Sequence, residues 1–217
     1  PLIRRAHSET ARIHDVNVST PASMPKAYKL VHASRMATAR YSHSEGFLPR
    51  TRGSAPGVAM TNCGELGWAT NERGYVYAPN DPTTGRPWPP MPAVFQALCH
   101  EAAVAADYPD FRPDACLINR YAVGAKLSLH QDKDEPDLRA PIVSVSLGLP
   151  AVFQFGGLRR NDPLKRIMLE HGDVVVWGRE SRLYYHGIQP LKPGVHPLTG
   201  EYRFNLTFRQ AGYSKLK

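Results

Sequence analysis

Cysteine is scarce in this chain: its 217 residues include only Cys63, Cys99 and Cys116. An odd number at such wide spacing is neither a disulfide framework nor a CxxC metal site, and it fits a reducing compartment. Long apolar runs are lacking too. No stretch reaches the roughly 18 apolar residues that a membrane-spanning helix needs, and no apolar segment near the beginning reads as a secretory signal. The cytoplasm is therefore the expected location, with no membrane partner. There is no internal repeat and no long low-complexity tract. Acidic residues are outnumbered, 19 Asp and Glu against 27 Lys and Arg, for a net charge of +8. The excess is uneven: residues 1–60 hold nine basic against three acidic side chains, and residues 61–217 eighteen against sixteen. Such an excess favours polyanions, because each neutralised phosphate releases counterions. Its ordinary meaning is solubility, so charge alone does not select nucleic acid.

The remaining composition is that of a folded protein. Hydrophobic residues make up 42% and charged residues 21%, which argues against wholesale disorder. A chain of this length forms one sizeable domain or two very small ones and buries roughly 70% of its unfolded surface, so it needs no cross-link merely to stay folded.

Residues 1–57 are rich in Ser, Ala, Arg, His and Pro and show no clear period beyond weak fragments such as Tyr28 to Met36, so they read as a basic N-terminal extension. Residues 78–92 carry six prolines and read as a loop. Residues 92–106 place Val94, Phe95, Leu98, Ala102 and Ala105 at helical spacing behind Pro92, which predicts a helix. Short β-type runs follow at 116–121, 142–148, 151–155, 165–170, 173–177, 182–188 and 203–209. Closely spaced strands without intervening helices predict an antiparallel sandwich or barrel.

Three segments could carry chemistry. In Leu129-His130-Gln131-Asp132, strand spacing puts His130 and Asp132 on one face. With a second histidine they would make a two-His, one-carboxylate facial triad, which leaves positions open on a non-haem iron. Taken alone, HxD is a weak signal. The second histidine could be His171 in a turn, His196 in a loop, or His186 in a β run 54 residues after Asp132; a strand position favours His186. The second segment, Arg203-Phe204-Asn205-Leu206-Thr207-Phe208-Arg209, alternates without exception. A half-exposed strand with a solvated arginine face is its ordinary meaning. If the polar face points inward instead, buried arginines need anionic partners, and a guanidinium grips a carboxylate with two bonds. In the third segment, Asn119 and Tyr121 share a strand face and can donate to a carboxylate or keto oxygen.

In this order, these segments resemble the AlkB family of Fe(II)/2-oxoglutarate-dependent nucleic-acid dealkylation dioxygenases. The resemblance runs from about Val58 to Gly212. It includes Ala59 to Gly64, Gly67-Trp68, Tyr108 to Phe111, Asp114 to Tyr121, Leu127 to Gly148, Phe153 to Gly157 and His171 to Gly178. Residues 1–57 depart from it. It implies a mainly β fold with a flanking helix: a double-stranded β-helix, or jelly roll, over residues 113–217. Residues 58–112 would form the nucleotide-recognition lid and its supporting helix. It implies that His130, Asp132 and His186 bind Fe(II), and that Arg203 holds the far carboxylate of 2-oxoglutarate. Asn119, Tyr121, Asn205 and Arg209 would support that site, with O2 as the second cosubstrate.

The base pocket follows from the same resemblance. An enzyme acting on a base takes it out of the stack and holds it flat. Trp68 would stack on the methylated base, with the His130 ring opposite, and its indole suits the positive charge of N1-methyladenine or N3-methylcytosine. Asp134 would accept from the exocyclic amine. Tyr75, Lys126, Gln131 and Arg160 would contact the rim or the phosphates. For Lys126 and Arg160 a solvated surface charge is an equal alternative, and Trp68 taken alone suits ordinary packing.

The expected activity is oxidative demethylation of N-alkylated bases in single- or double-stranded DNA, or in RNA, with release of formaldehyde, succinate and CO2. The same triad and arginines would serve a same-fold dioxygenase acting on a protein or small molecule. A jelly roll that only binds nucleic acid would show a lost ligand or a lost Arg203. A monomer is expected.

Overall fold

Strand alternation decides the architecture, because each strand must turn one face to each of two apolar layers. In this computed structural model, residues 16–19, 28–33, 57–71 and 74–212 are described. The strands are β1 (Val16–Ser19), β2 (Tyr28–Ala33), β3 (Val58–Gly64), β4 (Gly67–Asn71), β5 (Gly74–Ala78), β6 (Ala115–Tyr121), β7 (Leu127–His130), β8 (Ile142–Gly148), β9 (Ala151–Phe155), β10 (Lys165–Leu169), β11 (Asp173–Trp177), β12 (His186–Ile188) and β13 (Arg203–Arg209). Among the described residues one helix, α1 (Ala93–Ala105), and a short 3-10 turn (Arg179–Ser181) accompany them.

The strands form a major sheet in the order β1-β2-β11-β8-β13-β6-β3, a minor sheet β10-β9-β12-β7, and a separate β4-β5 hairpin. All the paired strands run antiparallel. The four central strands of the major sheet and the four of the minor sheet are the two walls of a jelly roll.

The major sheet has an apolar layer on each side. On its outer side Val143, Val145, Val174, Val176, Leu206 and Phe208 pack under Leu98, Cys99, Ala102 and Ala103 of α1. On its inner side Ile142, Val175 and Trp177 meet Phe153, Phe155, Ile167, Leu169 and Ile188 of the minor sheet. The outer layer also encloses the three cysteines. Cys63 and Cys116 stand opposite each other on β3 and β6, and Cys99 comes from the helix.

Several expectations shift. The helix forms with Pro92 as its N-cap, yet its buried stripe is Leu98, Cys99, Ala102 and Ala103, while Val94 remains 45% exposed. The run 182–188 is a strand only over its last three residues, because Ser181 and Arg182 bond back onto Gly178 and Arg179 and turn the Arg182 side chain inward. Two stretches of the segment read as an extension, β1 and β2, run as strands, and β2 pairs with β11. Backbone groups at an open sheet edge accept any strand, so such pairing needs no side-chain period. The rest of 1–56 lies outside the described residues. β3, read as part of the lid, is the other edge of the major sheet, while β4 and β5 stand apart as a hairpin.

Candidate active site

The mouth between the two sheets is a cavity of about 530 Å³. β7 and β12 bring the three proposed metal ligands to it. His186 lies directly across from His130, at a bulge where the ladder shifts. Gly187 makes that approach possible: a Cβ there would fall 2.6 Å from the Leu127 carbonyl oxygen. Asp132 lies just past the end of β7 rather than within it.

The ligand atoms of His130, Asp132 and His186 all lie within 4.8 Å of one another. His130 Nε2 is 3.6 Å from one Asp132 oxygen, and His186 Nε2 is 3.8 Å from the other. Each ring turns its Nδ1 to a carbonyl, Ser128 for His130 and Tyr184 for His186, both at 2.9 Å. That leaves each Nε2 free as a lone-pair donor, the arrangement that orients histidine toward a metal. Burial pushes the His186 imidazole down to about 4 against the pull of Asp132, so it is neutral at physiological pH. Burial acts to raise the Asp132 carboxyl, but Arg209, His186 and His130 overcome it and hold the group well below its ordinary range. Two imidazole nitrogens and one carboxylate thus fit a divalent iron.

His171 and His196 are elsewhere. They stack on each other with ring centroids 4.5 Å apart, and His171 Nδ1 accepts from the Gly148 amide at 3.0 Å.

Strand β13 turns its polar face inward. Arg203, Asn205, Thr207 and Arg209 all line the cavity, while Leu206 and Phe208 lie under α1. Arg203 is 1% exposed and makes one bond, from Nη2 to the Ser146 hydroxyl at 3.1 Å; its Nε and Nη1 have no partner. Burial depresses this guanidinium to about 10. A buried cation with two unmet donors is costly unless an anion completes it. Tyr121 lies beneath it, 5.9 Å from its ring centre to the guanidinium carbon, and burial raises the phenol to about 12. Asn119, opposite Asn205 in register, also lines the cavity. This orphaned guanidinium beside an open-sided ligand triad fits the far carboxylate of 2-oxoglutarate. Asn205, expected to support that site, is itself held: its amide donates to the Ser144 hydroxyl and the Val145 carbonyl, and its oxygen accepts from Thr207.

Arg209, expected to support the cosubstrate site, lines the same cavity and is engaged with two carboxylates. Its Nη2 donates to Asp132 at 2.8 Å, and its Nε lies 3.3 Å from a Glu135 oxygen. The other Glu135 oxygen takes Arg182 Nη2 at 2.8 Å, and Arg182 also donates to the Ala140 and Asp132 carbonyls. Tyr77 donates to Glu135 at 2.5 Å. Tyr77, Glu135 and Arg182 were not singled out from the sequence. Adjacency to Asp134 was the one available hint for Glu135, and nothing distinguishes Arg182 from a surface arginine.

The β4-β5 hairpin forms the far wall. Trp68 stacks on Tyr75 with centroids 4.6 Å apart, and its indole N–H donates to Asp134 at 3.2 Å. Its backbone exchanges two 3.0 Å bonds with the Asn62 amide. Gln131 and Arg160 line the cavity. Gln131 donates to the Leu183 carbonyl at 2.6 Å, and Arg160 donates to the Leu129 carbonyl at 2.8 Å with its guanidinium over Tyr185. Lys126 is exposed and is not part of the cavity wall.

Comparison with known proteins agrees with this geometry. Residues 23–209 match the family described as the 2OG-Fe(II) oxygenase superfamily. The chain is 78% identical over 155 residues to the alpha-ketoglutarate-dependent dioxygenase AlkB of Escherichia coli K12, covering 71% of this chain and 72% of that one. It is 39% identical over 114 residues to a protein of Arabidopsis thaliana named DNA N(6)-methyladenine demethylase ALKBH1D, covering 46% of this chain and 25% of that one. The solved structure of OsALKBH1 superimposes with a TM-score of 0.65 at 33% identity, covering 76% of this chain and 84% of that one.

Proposed function

The chain belongs to the 2OG-Fe(II) oxygenase superfamily, and from that premise we propose that it removes N-alkyl groups from nucleic-acid bases by oxidation, with Fe(II), O2 and 2-oxoglutarate. The observation that carries the reading is the buried, half-satisfied Arg203 guanidinium in the same cavity as the His130–Asp132–His186 cluster and the Trp68–Asp134 pair. The similarity to AlkB and to a DNA demethylase supports the choice of nucleic acid over a protein or small molecule.

Bound together, iron and 2-oxoglutarate supply with O2 the oxidation that places a hydroxyl on the N-methyl carbon, which leaves as formaldehyde beside succinate and CO2. The chain's own residues prepare this chemistry. His130 and His186 offer their Nε2 lone pairs, and Asp132 offers a carboxylate that Arg209 keeps ionised and fixed. Arg203, with Asn119 and Tyr121 near it, receives the dicarboxylate, and Asn205 braces β13 against β8. Trp68 gives a cationic base an aromatic face. Asp134, with one oxygen on the indole N–H, has the other for an exocyclic amine. Tyr75, Gln131 and Arg160 form the rim, and Lys126 stands outside it as a phosphate contact. The substrates would be N1-methyladenine and N3-methylcytosine in single- or double-stranded DNA or in RNA, met by a monomer in the cytoplasm. Among the described residues no helix is long and apolar enough to cross a membrane.

The test is formaldehyde release from a single-stranded oligonucleotide carrying either base, with Fe(II), 2-oxoglutarate and ascorbate. Release that requires 2-oxoglutarate and vanishes in Asp132→Ala is the expected result. Slow 2-oxoglutarate consumption without formaldehyde would move the substrate to another class.

A further inference from the structure

Trp68 and Tyr77 face each other across the β4-β5 hairpin, in register. Each donates a hydrogen bond out of the hairpin, to consecutive acidic residues: Trp68 to Asp134 at 3.2 Å and Tyr77 to Glu135 at 2.5 Å. These two carboxylates stand two and three residues beyond Asp132, in the same loop. From Glu135 the chain of contacts continues to Arg209 Nε at 3.3 Å, and from Arg209 Nη2 to Asp132 at 2.8 Å. Arg182 holds the second Glu135 oxygen and the Asp132 carbonyl from behind. Glu135 and Arg182 are both buried. The hairpin that faces the base is therefore three polar contacts from the carboxylate of the metal cluster.

The two ties differ in what a substrate does to them. Asp134 and Trp68 are the groups that a flipped base would touch, so that tie is itself part of the base-binding surface. Tyr77 and Glu135 already satisfy each other, and their bond does not depend on the base. We propose that Tyr77 and Glu135 are positioning residues that couple occupancy of the base cavity to productive use of 2-oxoglutarate. They keep the hairpin docked on the metal-bearing loop while Trp68 and Asp134 present the aromatic face and the free carboxylate oxygen to the substrate. The inference rests on the dealkylation reading above and adds a division of labour within it.

The test is Tyr77→Phe, which removes one oxygen and leaves Trp68, Tyr75 and every ligand in place. Formaldehyde released per succinate formed is measured with a methylated oligonucleotide, beside the melting temperature and the absorption band of the Fe(II)·2-oxoglutarate complex. We expect the ratio to fall roughly tenfold, the factor that a lost charge-assisted hydrogen bond corresponds to. Metal and cosubstrate binding should be unchanged. Glu135→Gln should lower the ratio as well, and the double variant should fall no further than the worse single one, since the two act as one contact. A ratio equal to wild type in Tyr77→Phe, or two effects that multiply, overturns the coupling role. Loss of the absorption band together with the ratio would also overturn it, because the residue would then serve the metal site as a whole. Wild type that releases no formaldehyde would instead defeat the dealkylation reading itself, so the two failures are distinguishable.

Discussion

At the scale of single residues, Arg203 is the group whose surroundings say most. It is nearly sealed from solvent, yet two of its nitrogens have no hydrogen-bond partner. In the absence of cosubstrate this is an unmet cost, of the order of ~1–3 kcal/mol for a buried unsatisfied donor and more for a charged one. Arg203→Met should therefore melt no lower than wild type when both are free of 2-oxoglutarate. Wild type should gain about 2.7 kcal/mol with cosubstrate at a hundredfold excess over its dissociation constant, and the variant should gain nothing. Thermal shift with and without 2-oxoglutarate reads this directly, and a variant still stabilised by the dicarboxylate would remove Arg203 from its site. The residue was legible in the sequence as one of two alternating arginines, but the different fates of the two were not. Arg209 goes to Asp132 and Glu135 because those carboxylates arrive from a loop some 70 residues earlier in the chain, and no local pattern records such a meeting. The same holds for the histidines: His186 and not His171 or His196 completes the cluster because β12 pairs with β7.

Among the elements, β13 was the most readable. Its strict alternation separates a polar face toward the cavity from Leu206 and Phe208 under α1, and only the direction of the polar face needed the fold. The β4-β5 hairpin was the least readable, since it holds its place through contacts with distant loops. One is made by Trp88, from the proline-rich loop, whose ring lies over Gly67 and whose indole N–H donates to the Ala78 carbonyl at 2.9 Å. A Cβ at Gly67 would come within 2.3 Å of that ring. Gly67→Ala should thus push the indole away and cost about 1–3 kcal/mol, the usual penalty of overpacking. Urea unfolding measures the loss, and the oligonucleotide KM should rise while 2-oxoglutarate affinity stays constant. A fully stable Gly67→Ala would mean that Trp88 has room to retreat. The prolines of this loop announce a turn-rich segment, but not that it clamps the hairpin from behind.

For the molecule as a whole, the acid limb of stability follows from His186. Its ordinary value of 6.5 in the unfolded chain is depressed by burial to about 4 in the fold. Between those values the unfolded chain binds a proton that the folded one refuses, so stability of the metal-free protein falls as pH falls from 6.5 to 4, by up to about 3 kcal/mol. Asp132, held below its ordinary value, adds a further loss at still lower pH. Chemical unfolding of chelator-treated protein across that window tests the sign; a flat profile would mean that His186 is reached by solvent. A second whole-molecule property follows from where the cysteines lie. Cys63, Cys99 and Cys116 are shut into the layer between α1 and the outer side of the major sheet. A thiol reagent in the surrounding water can find them only when that layer parts. The chain thus carries a built-in clock: with reagent in such excess that labelling outruns reclosing, the pace at which its thiols are labelled is the pace at which that layer opens.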